Sequence, residues 1–247
     1  MPSIFFLALH QLINRWRIIG LIVVAAVPIL VAIGVSAIGE FDKPDANDLD
    51  DLLIATTLAA AAIPIITLIG AVPLFSNEIE DKTLGNLILT PLKRWQIVAA
   101  KLIAAKTISV PLILASTFIA VFVAFEGSGL NNSIQAAAAT AIGLGLGSLM
   151  YITVFSWLGL ATRWPLIIGV IYIFIWEGIF STYVQNLKYL SLRKYSLSIV
   201  HEINPDLLTS ESSADLIART PTVVGAITIL IAFSFLTIRR LQKVEIP

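Results

Sequence analysis

Of 247 residues, 57% are hydrophobic and only 13% charged, and mean hydropathy is +0.92; a soluble domain carries about twice that share of charge, so the class is integral membrane. Sixteen cations balance sixteen anions, which excludes a global basic field for nucleic acid. The lack of cysteine excludes disulfides, thiolate metal sites and cysteine nucleophiles, and His10 and His201 are too few and too far apart for a histidine metal site.

The chain opens on an amphipathic stretch. Read as a helix, it sets Phe5, Leu9, Leu12, Ile13 and Trp16 on one face and His10, Asn14 and Arg17 opposite. That pattern suits a helix lying in the membrane interface; the alternative is a plain extension of the first span. A signal peptide is not expected, because Arg15 and Arg17 follow the apolar run and no small-residue cleavage site appears before the next apolar span.

Crossing a bilayer takes about 20 apolar residues. Six stretches qualify: 18–38, 52–75, 102–125, 134–161, 166–184 and 221–238. The expectation is a single all-α domain of six transmembrane helices. Residues 39–51, between the first two spans, hold Glu40, Asp42, Asp45, Asp48, Asp50 and Asp51 against Lys43. They lack the spacing of a calcium-binding loop and read as a solvated acidic loop.

The stretch 76–101, SNEIEDKTLGNLILTPLKRWQIVAAK, separates spans two and three. Asn77 and Glu80 can close a capping box, which predicts a helix starting near Glu78. Ile79, Leu84, Leu87 and Ile88 recur at helical spacing, with Glu78, Asp81 and Lys82 mostly elsewhere on the wheel. Thr90-Pro91 then ends one helix and starts another. A short amphipathic helix between two spans is a handle that a partner can grip.

Further along, Gly143-x-x-x-Gly147 permits close helix approach in span four, within one subunit or between two. Glu177 stands about eleven residues into span five, where a carboxylate facing lipid is costly. It must line a path or hydrogen-bond between helices. Residues 185–219 are too long for a turn and are expected to form outer or re-entrant helices over the mouth of the bundle. Counting Lys and Arg by side puts eleven with the termini, Arg15, Lys82, Lys101, Arg163 and Arg239 among them, and five opposite. Both termini and the 76–101 insert are therefore expected in the cytoplasm of a multi-pass plasma-membrane protein.

In this layout the chain resembles the permease subunits of ABC-2 type ATP-driven exporters. The residues that carry the resemblance are E-I-E-D-K-T-L-G-N-L-I-L-T-P-L-K-R-W-Q-I-V-A-A-K, with Trp176-Glu177-Gly178 and Tyr189-Leu190-Ser191. The resemblance implies two permease chains, this one paired with a second copy or a close homologue, and two ATP-binding subunits that hold ATP and magnesium. It further implies a coupling helix that docks on the ATPase through Glu78, Ile79, Glu80, Asp81, Thr83, Leu84, Leu87, Ile88 and Pro91. Apart from that resemblance, no Gly precedes a Lys, so the chain has no phosphate-cradling loop and no catalytic role of its own in ATP hydrolysis.

Two other classes stay open. A membrane-embedded lipid transferase or protease needs acid pairs or histidine clusters, whereas Glu177 is the one clear acid in the spans and no H-E-x-x-H occurs. A passive channel or scaffold leaves the capped helix unexplained.

Overall fold

A computed structural model describes residues 2–38, 50–80, 93–180, 189–208 and 216–243, and among these every regular element is a helix. Five helices are long and apolar enough to cross a membrane: Arg15–Ala37, Leu52–Glu80, Arg94–Ala124, Leu130–Ala161 and Arg219–Gln242. In chain order the α-helices are α1 (Pro2–Leu12), α2 (Arg15–Ile38), α3 (Ile63–Ala71), α4 (Pro73–Glu80) and α5 (Arg94–Ala124). They are followed by α6 (Leu130–Ala161), α7 (Pro165–Ile171), α8 (Leu192–Ile203) and α9 (Arg219–Gln242). Wider π-type winding precedes α3, at Asp50–Ala62, and follows α7, at Tyr172–Phe180.

The axle is α6. It has no proline from Leu130 to Ala161 and an alanine run at 136–139, both favourable to an unbroken helix. It packs against α5, α8, α9, α3, α4 and α7, and nearly three quarters of its most apolar stretch is buried inside the chain. By contrast α2 and α9 are mostly exposed, which in a bilayer means facing lipid or another subunit. Small and hydroxylic residues let the helices close on one another. Ser116 on α5 donates to the Ala25 carbonyl of α2 at 2.5 Å, and Thr67 returns its hydroxyl to the Ile63 carbonyl of its own helix.

Several element boundaries differ from the expected ones. The second span does not stop at Phe75 for a new capped helix to start near Glu78. Asn77 lies inside α4, which continues the span through Glu80. The third begins at Arg94, eight residues before Leu102, where the Lys93 N–H donates to the Gln96 side chain at 3.2 Å. Charge suggested the ends of both spans, but the charges in question are paired inside the protein. At the start of the chain, α1 ends at Leu12, so Trp16 belongs to α2 and not to the face of the first helix. Ala8 and Leu12 are buried against the bundle, while Phe6, Leu7 and Ile13 are exposed.

The expected fifth span, 166–184, is helical over Pro165–Phe180 in the described residues. At 1.5 Å per residue that covers about 24 Å, short of the roughly 30 Å hydrocarbon core. The acidic loop at 40–49 and residues 181–188 and 209–215 lie outside the described residues. Within 185–219, residues 216–218 are not helical.

Candidate functional site

Two buried carboxylates organise the polar interior. The first sits where the chain leaves α4 and returns into α5. Glu78, two residues before the end of α4, is buried, and its carboxylate meets Lys101 Nζ at 2.5 Å. Lys101 is fully buried, donates as well to the Leu74 carbonyl, and lies 4.6 Å from the centre of the Phe75 ring. One ammonium therefore has an anion, a carbonyl dipole and an aromatic face around it, which is how a charge becomes tolerable in a dry interior. Seven residues before it, Arg94 donates to the Leu241 carbonyl at 2.8 Å, tying the start of α5 to the end of α9. Helix α1 packs against α5 and α4. The beginning of the chain, the 80/93 junction and the end of α9 thus gather at one end of the bundle.

Of the residues assigned by resemblance to the ATPase contact, Glu78 is turned inwards onto Lys101, whereas Ile79 and Glu80 are exposed. Asp81, Thr83, Leu84, Leu87, Ile88 and Pro91 lie outside the described residues. Sequence reasoning missed the pairing of Lys101. The available signal was an acid at the end of one apolar run and a lysine inside the next, two charges that hydropathy alone treats as boundaries.

The second carboxylate is Glu177, fully buried in the π-wound turn after α7. It accepts from Tyr172 Oη at 2.8 Å, Ser191 Oγ at 2.5 Å and the Leu192 N–H at 2.8 Å, with the Arg193 N–H at 3.4 Å. Those amides are the open N-terminus of α8, whose N-cap Ser191 also accepts from the Lys194 N–H at 3.2 Å. A negative group belongs there, because the first amides of a helix have no internal partner and carry its positive dipole end. Trp176 Nε1 donates to the Leu190 carbonyl at 3.4 Å, so Trp176-Glu177-Gly178 and Tyr189-Leu190-Ser191 meet in space. Tyr172 and Ser191 escaped notice as partners of Glu177. Fourteen residues separate Ser191 from Glu177 in sequence, and no periodicity links them.

What holds α8 in place is the glycine pair of α6. A Cβ on Gly143 would stand 2.8 Å from Val200 Cα, and one on Gly147 would strike Ser196. Gly143-x-x-x-Gly147 therefore serves a close approach inside this chain. Gly143 lies about 20 Å along α6 from Leu130, so α8 packs near the middle of the longest span. Among the described residues no group of three or more His, Asp and Glu could hold a metal.

No curated protein matches the chain. The family model described as "ABC-2 family transporter protein" matches residues 13–176, from the end of α1 to the residue before Glu177. The matched stretch includes the Glu78–Lys101 junction and the glycine pair of α6 but stops short of α8 and α9. It spans well over half of the 247 residues, and the chain belongs to the ABC-2 family of transporter proteins.

Proposed function

We propose that this chain is the permease subunit of an ATP-driven exporter in the plasma membrane, working with a separate ATP-binding subunit that supplies both ATP and its magnesium. In this reading 166–184 is the fifth of six crossings, and an even number puts both termini on one side with the 80/93 junction, the cytoplasm. Helix α8 is a re-entrant helix on the outer side, and its packing near mid-length of α6 supports that reading. Two copies of the permease, or this chain and a close homologue, pair with two ATPases.

The observation that carries the proposal is the junction itself. Residues 81–92, which lie outside the described residues, join two helices that share a buried ion pair. A partner gripping that segment pushes on both spans. Glu177 serves in this scheme as an interhelix contact, not a path-lining acid, because its oxygens are already occupied by the start of α8.

Leu84→Asp and Leu87→Asp test the grip. Each should insert normally, since no span is altered, and lose the ATPase on purification. Loss of one buried leucine contact costs about 2–4 kcal/mol, and an unpaired charge adds to it. Wild-type recovery of the partner with wild-type ATP turnover in both variants would mean that the segment is not the coupling element.

A further inference from the structure

Glu78 lies two residues before the end of α4, yet it is buried and turned into the protein. Its carboxylate and the Lys101 ammonium are buried together, and Lys101 is also held by the Leu74 carbonyl and the Phe75 ring. All three anchors of Lys101 come from α4, the helix that precedes the departing segment, while Lys101 itself sits on α5, the helix that follows it. We infer that Lys101 and Glu78 are a strut that makes the departing and returning helices one rigid unit, so that a push received between them moves spans two and three together. This deepens the coupling reading above and rests on it. Both are positioning residues that never touch ATP or cargo.

The physical reason is cooperative. A buried ammonium stripped of water finds replacement acceptors and dipoles only while α4 and α5 keep their spacing. Sliding either helix separates the charges in a low-dielectric interior, which is unfavourable along the whole displacement. An apolar contact at the same place would permit sliding at little cost. Arg94 extends the unit to the end of α9 through the Leu241 carbonyl. Glu80, by contrast, is exposed at the end of α4.

The chain has no cysteine, so two labels can be placed on it at chosen positions. Asn77→Cys and Trp95→Cys put one spin label on α4 and one on α5, outside the pair itself. The distance between them is measured in the membrane-reconstituted complex with its co-purified ATPase, without nucleotide and after trapping with ATP, magnesium and vanadate. With Lys101 and Glu78 intact, one narrow distance should persist in both states. Lys101→Met or Glu78→Gln should lose the narrow peak and uncouple ATP turnover from the permease, while Lys101→Arg, which keeps the cation and its donors, should restore both. A distance that shifts on trapping in the intact pair overturns the strut, as does an unchanged narrow peak in Lys101→Met. Should the chain bring down no ATPase at all, the coupling reading fails, whereas the nucleotide-free comparison of Lys101→Met with the intact pair still decides the rigid spacing.

Discussion

Glu177 shows how a single acid becomes affordable in a membrane interior. Its oxygens take two hydroxyls and the first amides of α8, so both oxygens meet donors. Glu177→Gln keeps the shape but turns an NH2 group towards those donors. Leaving one buried donor unsatisfied costs about 1–3 kcal/mol, so the variant should unfold at lower temperature in detergent, as followed by intrinsic fluorescence. An unchanged melting temperature would show that the contact with α8 contributes nothing. That Glu177 needed a partner was legible in the sequence, because a lone carboxylate amid apolar residues has few alternatives. Which partner it takes was not, since Ser191 is joined to it by tertiary folding and not by spacing. Lys101 escaped for a related reason. A buried, paired lysine and a lysine at a span end look alike until Glu78 is placed beside it.

Helices and their apolar lengths were legible because twenty residues without charge have one stable form in lipid. Their ends were not. Glu78 and Lys101 shortened two spans on paper, although pairing lets both helices continue past them. For Gly143-x-x-x-Gly147 the spacing announced a close approach but left the neighbour open. That neighbour is α8. Gly143→Leu brings a bulky side chain against the Val200 backbone, which cannot move without carrying α8 with it. We expect α8 to be displaced, and a cysteine at Ser198, a buried position, to become reactive towards a membrane-permeant maleimide. Equal labelling of Ser198→Cys with and without Gly143→Leu would mean that the glycine pair does not seat α8.

At the scale of the whole molecule, burial is distributed unevenly. The chain wraps α6 on nearly every side, yet leaves most of α2 and α9 and one face of Pro165–Ile179 exposed, with Phe174, Ile175, Ile231 and Phe235 among the uncovered side chains. Lipid can cover all of that surface, so exposure alone does not require a second protein chain. Under the proposed function the requirement comes from alternating access. Alternating access needs two bodies that move against each other around a path, and a chain whose helices pack into one bundle around α6 supplies a single body. A pair of such bundles, each pushed at its own junction by its own ATPase, supplies both. We therefore expect the purified complex to contain equal numbers of permease and ATPase chains, two of each, when its mass is measured in detergent or nanodiscs. Closed twofold symmetry is the common outcome for identical chains that associate through one self-complementary face. A stable complex of one permease with one ATPase that still couples ATP turnover to transport would overturn the two-body arrangement, because one bundle would then be opening and closing a path by itself.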